Sequence, residues 1–554
     1  MRLLKFKSHR INILLPLALF VFTTGFSGGD RDLLARTGAA ADLVVRVYTE
    51  LMDSYVDPLD PLKLAREAVR GMLSALDPFT VLVDERNRSE IEAITTGKYA
   101  GLGLSISYRD NKAIVSEFLA PTAVFNDEVH IGDEIVSIEG VDVRGKPEAE
   151  IRRMLKGEIG SHVLVELSRP GVEGKFPVNL QRRDVQLPTV SYAAQVEDSV
   201  AYIKLDRFSI YATDYVNRIL DSLLKIHSTK GIIIDLRDNP GGLLNVAVDI
   251  AGMFLPNKTK VVTTAARNRS YASEHFTRRD PICPSLPLVV LINEGSASGS
   301  EIFAGAVQDY DRGVIAGTRS YGKGLVQNFI TLDDVHALKI TTSRYLTPTG
   351  RWIQRADYAE RSKDTVILHE PRDTTRQFLT LMRHRPVREY GGIMPDVSIP
   401  SDSAPEWLTQ LRSKGAIFDF VSIILNERQR NGSIDADQKL MRRFIEFVDS
   451  VSTRRGDDLA LALGQMRKSL EREDVSEHIR KKLDSFAGDI SSLRAQRITR
   501  HWQLIGKMIQ QQVAFHSANP KTRFESTCRY DEQFRTALRI IQRPREYENI
   551  LTSR

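Results

Sequence analysis

The sequence is poor in cysteine: only Cys283 and Cys528 occur in 554 residues. They stand far apart, so no disulfide framework is indicated, and a single bridge cannot be inferred from spacing. There is no HExxH signature, and the eleven histidines are scattered without an obvious partner, so neither a metal nor a cofactor is expected. The GxSxG elbow of many hydrolases is missing too, since the stretch Gly295–Gly299 carries Ala297 at its centre. Long apolar runs are scarce. The clearest, Ile11 to Phe22, is too short for a comfortable transmembrane helix, although an uncleaved anchor reaching Phe26 stays open. No cysteine lies near it, which excludes a lipoprotein anchor, and no tidy small-x-small cleavage site follows. Excess charge is also lacking. Of the formal +6, four charges belong to Arg2, Lys5, Lys7 and Arg10, so the chain from Gly29 onward is nearly balanced and no nucleic-acid partner is expected.

Those four basic residues, followed by the apolar stretch and then by small or polar residues, have the layout of a secretory signal. Residues 1–28 are read as a signal peptide or short membrane anchor. The protein is then exported, periplasmic or membrane-associated facing the periplasm. The remaining length, with 42% hydrophobic residues, supports several domains with their own cores.

Ser298 in Asn293–Glu301 (NEGSASGSE) and Lys323 in Tyr321–Gln327 (YGKGLVQ) carry the strongest chemical signal. A serine hydroxyl is a poor nucleophile until a base removes its proton, and a neutral lysine in an apolar site serves as that base. The run Pro287–Asn293 reads as a buried strand and Gly299–Val307 as a helix, which puts Ser298 at a helix amino terminus with the Gly299 amide as an oxyanion donor. A second such unit, Gly231–Leu255, passes from an apolar strand through Asn239, Pro240, Gly241 and Gly242 into a helix. Its paired glycines permit positive φ and close backbone approach, so the Gly241 or Gly242 amide is a second candidate donor. Two strand, turn and helix units imply a layered α/β core with its site at the carboxyl ends of the strands. Ser320 to Lys323 spell SxxK, but that motif needs a helix, and the glycines flanking Lys323 and the strand-like LVQNFITL argue against one.

DLRDNPGG, SASGSE, YGKGLVQ, RYLTPTGRWIQ (Arg344 to Gln354) and GIMPD (Gly392 to Asp396) occur in the order and approximate spacing of the carboxy-terminal processing peptidases, which this chain resembles. YVDPLD (Tyr55 to Asp60), GMLSALDPFT (Gly71 to Thr80) and GKYAGLGLSI (Gly97 to Ile106) extend the likeness upstream, so it covers roughly residues 40 to 400. The resemblance implies a PDZ-containing serine protease with Ser298 as nucleophile, Lys323 as general base, Gln327 orienting the lysine, and Gly241 and Gly299 as oxyanion donors. Gly299 stands where the family usually has alanine. The implied fold class is an α/β multidomain protein: a layered ββα core of the crotonase/ClpP type, an embedded PDZ domain, and helical extensions at both ends.

Five segments follow: 1–28; an N-terminal helical segment, 29–96; a PDZ domain, 97–183; the protease core, 184–400; and a helical extension, 401–554. In the PDZ segment, the glycine loop before Leu104 and the helix Lys146–Gly157 frame a groove, with Leu102, Gly103, Leu104, Ile151 and Leu155 as candidate peptide-binding residues. Such a groove captures the free C-terminus of a protein substrate and raises its effective concentration at Ser298. In the family the PDZ domain also gates the site. A charged insertion between Arg355 and Gly391 reads as a surface subdomain or a lid. Beyond Ser401, apolar stripes at Met441, Phe444, Ile445 and Val448, and at Ile479, Leu483, Phe486, Ile490 and Leu493, read as packed helix faces serving a homo-oligomer seam or a cover on the core. An activating adaptor is a further open partner. Two other classes compete: a non-catalytic PDZ adaptor on a degenerate core, and a crotonase-like thioester enzyme, which would need neither PDZ domain nor serine and lysine pair.

Overall fold

The computed structural model describes residues 31–552 except 85–95, 120–127, 198, 227–228, 334, 363–364, 369–377, 401–403, 428–433, 435, 452–457, 472–475, 517–519 and 529. The proposed signal lies outside the described residues. The chain divides into two compact units, residues 1–76 and 77–554. In the first, the helices Arg31–Ser54 and Pro61–Ser74 lie within the stretch expected to be helical. The second of these starts sharply because Pro61 fixes the first helical φ and the Asp60 carboxylate accepts from Lys63 N–H.

The larger unit contains a six-stranded sheet in the order Val190–Val196, Val200–Leu205, Gly231–Asp235, Leu288–Ile292, Val314–Gly317 and Val397–Ser398. The first pair is antiparallel and every later pair parallel. Its central strands are β-branched and buried on both faces, as parallel strands between two covers must be. Side chains alternate. Ile203, Ile232, Ile234, Val290 and Ile292 point into one core with the helices Ala212–Leu224, Leu244–Ala251 and Gly299–Asp309. Tyr202, Ile233, Val289 and Leu291 point into another with Phe534, Leu538, Ile541, Tyr547 and Leu551. Full burial of each such aliphatic is worth about 1.5–3 kcal/mol. An antiparallel sheet, Val81–Val83, Ala337–Leu346, Lys260–Ala265 and Ser273–Phe276, stands beside it, with Leu325–Thr331 paired to Ala337–Leu346.

The strands Leu104–Arg109, Lys112–Phe118, Glu134–Ile138, His162–Ser168 and Phe176–Gln181 form a smaller antiparallel sheet with an edge strand at Leu104–Arg109. The strands Lys98–Gly101 and Arg183–Gln186 pair and so join its two ends. The helix Glu148–Leu155 buries Ile151 and Leu155 against it. This small domain is braced by the C-terminal helices: His130 Nδ1 donates to Asn426 Oδ1 at 3.0 Å, and the Arg109 guanidinium lies 4.7 Å from the Phe418 ring centroid. Gly132, at φ +101°, leaves no room for a side chain there, because a Cβ would stand 2.5 Å from Ser422 Oγ.

The C-terminal helices have their own core of Ile417, Phe420, Ile424, Phe444, Val448, Ile498, Ile505 and Ile509. The first expected stripe packs in it. The second differs: Ile479, Phe486 and Leu493 are exposed and only Ile490 is buried. The buried residues of that helix, Glu477–Arg500, all lie in its second half. The 355–391 stretch contains the hairpin Ala356–Ser362 and Thr365–Leu368. Its later part is tied down, since Arg385 pairs with both Asp311 and Asp396 at 2.7 Å. Among the described residues no helix is long and apolar enough to cross a membrane.

Candidate active site

Two chain reversals at the carboxyl ends of neighbouring parallel strands build the site. After Gly231–Asp235, the turn Asn239–Gly242 is fixed by Asn239, whose Nδ2 donates to Leu205 O and whose Oδ1 accepts from Gly241 N–H, both at 2.8 Å. After Leu288–Ile292, the Ser296 hydroxyl donates to Leu236 O at 2.7 Å, and the Asn293 side chain accepts from Asp238 N–H at 2.8 Å. Ala297 N–H and the Ser300 hydroxyl both donate to Asn239 O at 3.0 Å. The two turns are thus laced together by hydrogen bonds of their own.

Ser298 sits at the junction with φ 54° and ψ −111°, a region costly for any residue with a Cβ. The strained strand-to-helix turn is therefore present even though the GxSxG sequence is not. A side chain at Gly241 is impossible without movement: a Cβ would lie 2.5 Å from Ala297 O, 2.7 Å from Gly299 N and 2.9 Å from Ser298 Cβ. The strain is held by Glu301, fully buried three residues on. Its carboxylate accepts from Ser298 N–H at 2.8 Å, from Gly322 N–H at 2.7 Å, from Lys323 N–H at 2.9 Å and from the Ser320 hydroxyl at 2.5 Å. Burial pushes the Glu301 carboxyl above its usual range, against those four donors. One side chain therefore joins the serine turn to the lysine loop. The sequence reading passed over it, although Ser298-x-x-Glu301 has capping-box spacing.

The amides differ in a way the sequence did not reveal. Gly241 N–H is occupied by Asn239, whereas Gly242 and Gly299 N–H donate to no acceptor among the described residues. They are close, as Gly242 N stands 3.4 Å from where a Cβ on Gly299 would be. Of the paired glycines, Gly242 thus keeps its amide unengaged, and Gly241 is the one whose missing side chain makes room for the serine turn.

Lys323 lies in an extended loop before the strand Leu325–Thr331, so the helical SxxK geometry is absent. Burial is the main influence on its amine, and Lys339 adds to it; Glu301 and Asp77 oppose, and the amine is brought down to about 8. Its Nζ rests 4.3 Å from the centroid of the Phe79 ring. No hydrogen bond joins it to Ser298 or Gln327 among the described residues. Gln327 instead donates from Nε2 to Thr341 Oγ1 at 3.1 Å. Leu102, Ile151 and Leu155 lie together in the small domain's core, with Leu104 packed on them and Gly103 at φ +75°. No metal-ligating cluster of three side chains occurs among the described residues.

Residues 199–359 match peptidase family S41, and residues 407–541 match the family described as probable PDZ-protease, C-terminal helical domain. The chain is 35% identical over 324 residues to the carboxy-terminal-processing protease of Bartonella bacilliformis, covering 58% of this chain and 72% of that one. It is 36% identical over 308 residues to the carboxyl-terminal-processing protease of Synechocystis sp., covering 54% and 70%. Among solved structures it is similar to the photosystem II D1 C-terminal processing protease, with 26% identity, a TM-score of 0.39, and coverage of 66% of this chain and 94% of that one. The chain belongs to peptidase family S41, among the carboxy-terminal processing proteases, and is a serine-type endopeptidase.

Proposed function

We propose that this endopeptidase acts on exported or unfolded proteins presented by their C-termini, with Ser298 as nucleophile, Lys323 as general base and the 97–183 segment as a PDZ domain that captures the substrate end. The observation that carries the reading is the Glu301 bracket, which holds a strained serine and a lysine of lowered basicity in one buried arrangement beside two unoccupied amides. Ser298 Oγ attacks the peptide carbonyl as its proton passes to neutral Lys323 Nζ. The oxyanion is stabilised by the amides of Gly242 and Gly299. The lysine then gives the proton to the departing amine, leaving an acyl enzyme, and in the second half deprotonates the water that releases the acyl group. Gln327 orients the amine once the lysine has turned toward Ser298.

The small domain's edge strand Leu104–Arg109 and the adjoining helix are suited to strand addition by a peptide, with Gly103 in the carboxylate-facing loop. The boundaries 29–96, 97–183, 184–400 and 401–554 and export through residues 1–28 belong to the same proposal.

The test is cleavage of an unfolded protein with an apolar C-terminus by the wild type, Ser298→Ala and Lys323→Ala. Loss in both variants with retained melting temperature supports the assignment, and retained cleavage by Ser298→Ala overturns it. With an amine that titrates near 8, kcat/KM should climb about tenfold per unit below that pH and level off above it.

A further inference from the structure

We propose that Phe79 is a positioning residue: its ring seats the protonated Lys323 amine away from Ser298 in the resting enzyme and sets the pH at which that amine becomes a base. This rests on the reading of Lys323 as the base. Phe79 belongs to the segment GMLSALDPFT, one of the upstream stretches that resemble the family.

The seat is built rigidly. The Asp77 carboxylate accepts from the N–H groups of Phe79 and Thr80 at 2.8 Å and from the Thr80 hydroxyl at 3.1 Å, closing a tight turn after the helical unit ends. Thr80 Oγ1 in turn accepts from Thr341 N–H at 3.1 Å, which pins this turn to the strand paired with Leu325–Thr331, the strand that follows the lysine loop. The ring meets Tyr358 edge-on, with centroids 6.0 Å apart. On its other contact lies Lys323 Nζ, at 4.3 Å from the ring centroid.

An aromatic face attracts an ammonium through its quadrupole and does little for a neutral amine. The ring therefore favours the protonated lysine, as do Glu301 and Asp77, while burial and Lys339 disfavour it. Those are the charged groups facing the amine from the serine helix, the 77–80 turn and the 337–346 strand. Deprotonation removes the attraction to the ring, so loss of the proton and release toward Ser298 become one event. The hold differs from that of an ion pair, because Phe79 carries no charge that must itself be neutralised.

The experiment uses the full chain with Phe79→Leu, which keeps apolar cover but removes the aromatic face, and Phe79→Tyr, which keeps that face. The pH profile of kcat/KM is measured on an unfolded protein substrate. Lys323 is titrated independently, in a Ser298→Ala background, by reductive methylation read out by peptide mass spectrometry. Phe79→Leu should lower both the acid limb and the labelling midpoint by roughly one pH unit, and Phe79→Tyr should leave both within a few tenths. Coincidence of the Leu profile with wild type, or equal loss of rate in Leu and Tyr at every pH with an unmoved midpoint, overturns the proposal. Phe79→Met replaces Leu if leucine lowers the melting temperature. Lys323→Ala separates the two claims: retained turnover there refutes the base assignment, while the labelling midpoint still reports whether Phe79 holds the ammonium.

Discussion

The two faces of the six-stranded sheet are made by alternate residues of the same strands yet serve different ends. Ile232, Ile234, Val290 and Ile292 face the helices that support the serine and NPGG turns, while Ile233, Val289 and Leu291 face Phe534, Leu538 and Ile541. The first face ends in strain, a buried carboxylate and glycines with no room for a Cβ. The second is ordinary close packing, closed by Arg237, which pairs with Asp235 and Asp531 and donates to Gln533 Oε1. Burial pushes the Asp235 carboxyl up, but Arg237 and Lys204 outweigh it and hold that carboxyl well below its usual range. The site is thus precise because one side of the sheet tolerates no freedom, and stable because the other side is filled.

That contrast breaks if changes on one face act like changes on the other. The largest effect should come from Ser298→Ala, with peptide turnover falling at least a thousandfold, on the order of other nucleophile deletions, and little change in melting temperature. Gly241→Ala should come next, abolishing most activity because its Cβ must displace the Ser298 turn; an active variant with an unmoved serine would refute the close approach. Ile541→Ala should do the opposite, costing about 2–4 kcal/mol in urea unfolding while the folded enzyme keeps its kcat. Glu301→Gln should fall between, lowering kcat about 10- to 100-fold with a stability loss of about 1–3 kcal/mol, because an amide cannot accept from all four donors. The smallest effect belongs to Lys225→Ala at an exposed ion pair with Asp221, expected within about 0.5 kcal/mol.

The strands and helices around Ser298 were legible because a β-branched run followed by glycine-rich turns has few alternatives. The tail was legible as helical but not in its use, since a stripe such as Phe444 and Val448 looks the same whether it meets a sheet, a bundle or a second chain. The exposed Ile479 and Phe486 show that periodicity alone does not establish packing. What the residues could not convey was hydrogen-bond traffic. That Asn239 occupies the Gly241 amide, leaving Gly242 unoccupied, depends on where one side chain turns. That Lys323 rests on Phe79, 244 positions earlier in the chain, depends on tertiary neighbours absent from either local motif.

The cover supplied by Phe534, Ile541 and Tyr547 has a consequence for biogenesis. A chain delivered in order from its amino terminus presents Ser298 and Lys323 well before those side chains, so through that interval the sheet has one bare apolar face. Closure of the sheet's second face therefore waits on the last helices of the chain, well after the serine and lysine segments have been made.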